Sequence, residues 1–348
     1  MSKTKKQTPT KKKQSKKQSK KQSKKLGKKK TNNSKVKVIY VKKVLSDKNI
    51  ESKEGHYFDE SFYKKKNKNY LIDYDCDCYR IDENNKKHLL LKFRKNVLPE
   101  NLCDIGIENL KKAAMKHHDN RGAAAGLLDY SKLPKYANDP NYFVKKSKFR
   151  VEGYVSKFTG KTVNNSLGNL SQSNIIGYFD RPDRNLGKNA PLCRTTAFTG
   201  QQAQKWKNVI PLIKSIDKQF KILVPDRYKA QYKRAQLTPF VIPKTSFSTL
   251  TINYNWRTAL HKDAGDLKEG FGNLVVLEEP KKKYKGGYTG FPQYGVCVNV
   301  KNGDFLAMDV HEWHCNTKIV AIDKDYTRLS LVAYLREKMI RCKDLKNN

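Results

Sequence analysis

Long apolar runs are missing from this sequence. No stretch approaches the roughly 20 consecutive apolar residues of a membrane-spanning helix, and the basic N-terminus lacks the apolar segment of a secretory signal. Acidic residues are absent before Asp47, although residues 1–30 hold 15 lysines. Arginine is scarce, 13 against 60 lysines, which favours phosphate contact over base reading. The seven cysteines (Cys76, Cys78, Cys103, Cys193, Cys297, Cys315, Cys342) are odd in number and scattered. That argues for reduced thiols rather than a secreted disulfide framework. Cys76-Asp77-Cys78 is spaced too closely for a zinc knuckle and has no partner pair, so it reads as structural. Together these absences predict an intracellular protein of nucleus or cytoplasm, with no membrane and no disulfide-linked partner.

Positive charge is what the chain has in excess. The net charge is +40, and residues 31–348 still carry 58 basic against 33 acidic side chains. AT-rich coding bias alone enriches lysine and asparagine. The excess persists beyond the N-terminal tail, however, and predicts a polyanionic partner, DNA, bound in a salt-dependent way.

The chain divides by texture. Residues 1–34 are low complexity, with Lys-Lys-Gln-Ser repeating through Lys12–Ser23, and predict a disordered basic arm. Residues 35–176 read as an N-terminal extension of mixed structure. It opens with an edge strand over 36–41 and includes strand-like runs at 70–72 and 88–93 and a helix near Asn109–His118. His117-His118 reads as surface, and Arg121–Gly126 as a turn into a close-packed or mobile loop. Residues 177–340 begin with helical stretches over Gln202–Ile216, where Pro211 should kink or break the helix, and Asp226–Leu237. Short strands follow at 247–253, 273–277, 287–291, 296–300, 305–308, 318–322 and 329–335. Gly286-Gly287 marks a turn, and Asn302-Gly303 is a strong hairpin signal. Many short strands without intervening helices predict an antiparallel sandwich or jelly roll with flanking helices, an α+β chain. Residues 341–348 are a tail.

Chemistry concentrates in the last quarter. His261-Lys262-Asp263 is followed 51 residues after the aspartate by His314, and 14 residues later by Arg328-Leu329-Ser330. Two imidazoles and a carboxylate can take one face of an Fe(II) ion and leave the other open for a cosubstrate and O2. A lone His-x-Asp arises often by chance; the ordered set in strand-like sequence is specific. His311 is the rival distal ligand, but His314 directly precedes the next strand. His311 or Asp309 would then orient a ligand. Arg328 shares a strand face with Ser330 and Val332 and would fork onto the distal carboxylate of 2-oxoglutarate, with Ser330 beside it.

These residues resemble the oxygenase domain of the TET/J-binding-protein group of Fe(II)- and 2-oxoglutarate-dependent dioxygenases, especially its viral and microbial members. The resemblance spans residues 177–339, a little under half the chain, and its matching stretches are Gly177–Asp180, Cys193–Thr199, Phe247–Asn253, Arg257–Asp263, Gly303–His311 and Arg328–Val332. The resemblance implies a double-stranded β-helix (jelly roll) and oxidation of a pyrimidine methyl group, of 5-methylcytosine or thymine, in DNA. The base would have to be extruded from the duplex to reach the iron. A virus-encoded protein acting in a host cell fits this reading. In animal members an asparagine three residues after the aspartate ligand helps hold the base; here Asp266 stands there, and an ionised carboxylate only accepts hydrogen bonds. Asp266 and Arg194 are the candidate substrate contacts. A protein side chain or RNA as substrate, or an inert basic DNA-packaging protein, are the alternatives.

Overall fold

Successive side chains of the C-terminal strands face opposite sides of their sheet, and both sides are buried. The computed structural model describes residues 36–132, 142–156, 162–180 and 192–342. The arm expected over 1–34, the loop after Asp180 and most of the expected 341–348 tail lie outside them.

The N-terminal part contributes β1 (Lys37–Val41), α1 (Asp47–Glu51), α2 (Glu60–Lys66), β2 (Leu71–Ile72), β3 (Cys76–Ile81), β4 (Lys87–Arg94), α3 (Glu100–Ala114) and β5 (His117–His118). Next come β6 (Tyr142–Lys146), β7 (Arg150–Ser156), β8 (Thr162–Gly168), β9 (Ser171–Asp180), β10 (Cys193–Thr195), α4 (Ala197–Gln201), α5 (Ala203–Leu223) and α6 (Pro225–Ala235). The last third is β11 (Thr249–Tyr254), β12 (Gly272–Glu278), β13 (Tyr284–Gly286), β14 (Thr289–Phe291), β15 (Val296–Val298), β16 (Phe305–Met308), β17 (Cys315–Asn316), β18 (Ile319–Ala321) and β19 (Arg328–Tyr334).

A ten-stranded sheet runs β1-β3-β4-β16-β12-β19-β11-β9-β10, with β5 also on β9. A four-stranded sheet runs β17-β14-β15-β2, and β13-β18 and β6-β7-β8 form smaller ones. This is a mixed, sheet-rich fold with helices. Strands from the expected 35–176 extension therefore share sheets with the C-terminal strands: β4 pairs with β16 and β2 with β15.

The two faces of the large sheet bury different partners. Leu250, Ile252, Leu329, Leu331 and Ala333 pack under helices α3 and α5, in one core with Leu110, Leu212, Ile213 and Phe220. Leu274, Val276, Leu306 and Met308 on the other face meet Phe291, Val296 and Val298 of the four-stranded sheet. The helices thus close one side, and the space between the sheets is left for a site. Among the described residues no helix is long and apolar enough to cross a membrane.

Several local expectations change. The helix expected near 109–118 is α3, which starts directly after Pro99 and ends before His117-His118 joins β9 as a strand. α5 continues through Pro211. That residue is exposed, as is Lys207, whose carbonyl the proline cannot engage, so water can satisfy it. Asn302-Gly303 is a turn, with Gly303 at φ +76°, but not a hairpin, because β15 and β16 belong to different sheets. Cys193 and Cys342, 149 residues apart with Cα atoms at 6.0 Å, form a disulfide. The expectation of thiols throughout fails for this pair, since only the fold brings them together; the other five cysteines are free and buried.

Candidate metal centre and pocket

His261 and His314 are held by the backbone before their side chains matter. Each donates its N–H to the other's carbonyl at 3.0 Å, an isolated antiparallel bridge. Asp263 N–H donates to Val310 O at 3.0 Å, which fixes the third residue to the same pair of segments. The imidazole centroids lie 4.3 Å apart. His261 Nε2 is 3.6 Å from Asp263 Oδ1, and His314 Nε2 is 3.8 Å from Asp263 Oδ2. One ligand atom from each of the three lies within 4.8 Å of the others, the separation a single ion requires.

The tautomers suit metal binding. His261 Nδ1–H donates to Ala259 O at 2.8 Å and His314 Nδ1–H to Glu312 O at 2.9 Å. Each Nε2 lone pair is then free to point at the shared centre. Burial, and next the neighbouring His314, push His261 down to about 4, which favours the neutral imidazole at pH 7. His311 is outside the cluster and pairs with Asp309, Nδ1 to Oδ1 at 3.3 Å; that contact raises its pKa. The donor set fits a divalent ion with an open face.

The triad opens into a cavity of about 880 Å³ that also takes in Thr251, Asn253, Asp266, Ser330 and Tyr334. Ser330 Oγ accepts from Asn253 Nδ2 at 3.2 Å. Arg328 lies two residues along the same strand face, is 1% exposed, and is not among the residues that line the cavity. Its Nη2 donates to Gly287 O at 3.0 Å, and its Nε has no partner. Asp266 lines the cavity and is buried. Burial and then the Asp263 charge hold its carboxyl well above the usual range. Burial thus favours its protonated form, which can donate as well as accept. Arg194 departs from expectation. Cys193 points inward, strand alternation sends Arg194 out to solvent, and it is not among the cavity residues.

Other cavity residues were not anticipated. Arg121 stands over the site with Nε and Nη2 shielded from water and without hydrogen-bond partners. Its loop is pinned: Ala259 N–H donates to Ala124 O at 2.9 Å, and Asn169 Nδ2 to Leu127 O at 2.7 Å. Arg336 pairs with Asp180 and lies 4.2 Å from the Phe179 ring centroid. Asn253 had a signal in the sequence, since Thr249, Thr251 and Asn253 make one polar strand face. Arg121 had none, because burial of a cation is a tertiary fact.

Residues 174–337 match the family described as Tet_JBP, oxygenase domain of the 2OGFeDO superfamily. Thymine dioxygenase JBP1 of Trypanosoma brucei brucei is 34% identical over 223 residues, 62% of this chain and 24% of that protein. Thymine dioxygenase JBP1-A of Trypanosoma cruzi (strain CL Brener) is 36% identical over 170 residues, 47% of this chain and 19% of its own length. This chain spans about a quarter or less of these relatives. A solved structure, NgTET1 in complex with 5mC DNA, aligns with TM-score 0.45 and 13% identity, covering 86% of this chain and 94% of the other.

Proposed function

We propose, from the premise that residues 174–337 are a Tet_JBP oxygenase domain of the 2OGFeDO superfamily, that this protein is an Fe(II)- and 2-oxoglutarate-dependent dioxygenase acting on DNA. Its substrate is the methyl group of a pyrimidine base, thymine or 5-methylcytosine. The observation that carries the reading is the convergence of His261, Asp263 and His314 on one point at the wall of the cavity. In this reading β11, β12, β16 and β19 and the facing β14, β15 and β17 make a double-stranded β-helix around the site.

Fe(II) bound there would activate O2 for insertion of one oxygen atom into the methyl group, while 2-oxoglutarate gives succinate and CO2. The chain's own residues bind and orient. His261, Asp263 and His314 hold the metal on one side only. Arg328 and Ser330 take the distal carboxylate of 2-oxoglutarate, for which the unpartnered Nε of Arg328 is a waiting donor. Asp266, at the cavity wall, is placed to hydrogen-bond a base. Arg121 offers two further donors over the same space. A cavity of about 880 Å³ has room for a cosubstrate and an extruded nucleotide together. The basic surface supports DNA as the partner.

Succinate formation from 2-oxoglutarate tests the reading. The full-length protein with Fe(II) should release succinate faster with DNA carrying thymine or 5-methylcytosine than with DNA lacking both. Equal release on all DNAs and on none would remove the DNA-base substrate.

A further inference from the structure

Two arginines at the cavity come from outside the segment that matches the family. Arg121 lies just after β5 and Arg150 opens β7, whereas the match begins at residue 174. Both line the cavity of His261, Asp263 and His314. Their two segments are packed on each other. Leu128 N–H donates to Lys148 O at 2.8 Å, and Arg150 is the register partner of Gly168. A Cβ on Gly168 would stand 2.5 Å from Asp119 O and 3.5 Å from Phe149 O, so a glycine is what lets these backbones close up. Ser147 fixes the turn before Arg150, its hydroxyl accepting from Arg150 N–H at 3.0 Å.

Neither guanidinium is satisfied. Arg121 Nε and Nη2 and Arg150 Nε are shut off from water and have no hydrogen-bond partner. The carboxylates that line the cavity are Glu54, Asp180, Asp263, Asp266 and Glu337, and its other cations are Lys262, Arg336 and Lys338. Asp180 is held by Arg336, and Asp263 faces the two histidines. Among the described residues none of these carboxylates forms an ion pair with Arg121 or Arg150.

We propose that Arg121 and Arg150 bind the phosphates that flank the extruded nucleotide, so that the N-terminal part of the chain completes the substrate site. The inference rests on the oxygenase reading and deepens it. A buried donor without a partner is costly until an acceptor arrives, and for a guanidinium an anion is the best acceptor. In that reading 2-oxoglutarate has both carboxylates placed already, one at the metal and one at Arg328 and Ser330. The phosphodiester of the nucleotide in the cavity is the anion that is left. Arginine forks onto phosphate oxygens as it does onto carboxylates, and such contacts set register without reading the base. A base swung out of the duplex keeps a phosphate on either side, so holding both fixes how deep its methyl enters.

Steady-state formation of the oxidised base by the full-length protein with Fe(II) tests this, on a short oligonucleotide with one methylated pyrimidine. Arg121→Gln and Arg150→Gln should each raise KM for the oligonucleotide about 10-fold, the scale of one hydrogen bond to a charged group. KM for 2-oxoglutarate should not move. Uncharged methylphosphonate linkages on both sides of the target base should raise KM for wild type at least as much, and add nothing in the double variant. No loss with methylphosphonate in wild type would overturn the proposal without any variant. So would an equal loss in wild type and double variant, or a rise confined to KM for 2-oxoglutarate, which would give the arginines to the cosubstrate. A wild-type protein that forms no oxidised base would instead overturn the oxygenase reading, and this inference with it.

Discussion

His261 and His314 show how much a backbone hydrogen bond decides for a side chain. The mutual N–H to carbonyl pair sets the two rings side by side, and the Nδ1 donations to Ala259 O and Glu312 O choose which nitrogen faces the centre. Loss of any one ligand leaves two, too few to hold the metal well. His261→Ala, Asp263→Ala and His314→Ala should each abolish turnover, with circular dichroism unchanged, whereas His311→Ala should keep metal and some activity. An inactive His311→Ala beside an active His314→Ala would reassign the distal ligand. The apo-protein should also carry a pH signature. Burial lowers His261 from 6.5 to about 4, so the unfolded chain binds the proton more readily between those values. Stability from this group is complete above about pH 6.5 and falls as pH drops towards 4, by about 2 kcal/mol between pH 7 and pH 5. Urea melts of metal-free protein should show that much less acid sensitivity in His261→Asn than in wild type; equal sensitivity would deny the shift. At this scale the convergence of His261, Asp263 and His314 was legible, because metal-ligand chemistry needs particular residue types in order. Arg121 and the Asp180–Arg336 pair were not, because segments far apart in sequence meet there.

Elements were legible where short alternating or continuous apolar runs are bounded by turn residues, and misread where a local signal competes with tertiary structure. β11, β12, β16 and β19 fall within a residue or two of their expected bounds, since each buries an apolar face against the helices. Asn302-Gly303 supplied turn chemistry, but what joins β15 to β16 is a step between sheets. Pro211 lost to packing, because Val209, Leu212, Ile213 and Ile216 bury α5 on both sides of it. The turn after β13 gives a test at this scale. Gly286 has φ +76°, and a Cβ there would lie 1.9 Å from Lys318 O. Gly122 has φ +50° with open space around it. Gly286→Ala should therefore cost more than about 2 kcal/mol, through strain and displaced backbone, and Gly122→Ala about 1 kcal/mol, through strain alone. Denaturation midpoints for the two variants compare them directly. Equal midpoints would mean that the turn from β13 to β14 relaxes freely.

For the whole molecule, charge and architecture divide the work. The sheet that carries the site is continuous with strands from the N-terminal part, so positions from 37 to 334 are tied into one framework. The 15 lysines of residues 1–30 stand apart from it in sequence. Removing residues 1–34 should weaken DNA binding and flatten its dependence on salt, since fewer counterions are released. The rate on saturating short substrate should stay nearly the same. Unchanged affinity at physiological salt would give the arm another task. The central claim, oxidation of a pyrimidine methyl in DNA, is tested most directly by mass spectrometry of nucleosides from DNA incubated with protein, Fe(II), 2-oxoglutarate and O2. The account predicts hydroxymethylated thymidine or 5-methyldeoxycytidine, absent with His261→Ala and absent without 2-oxoglutarate. Intact nucleosides from DNA treated with metal-loaded wild-type protein that consumes 2-oxoglutarate would contradict it.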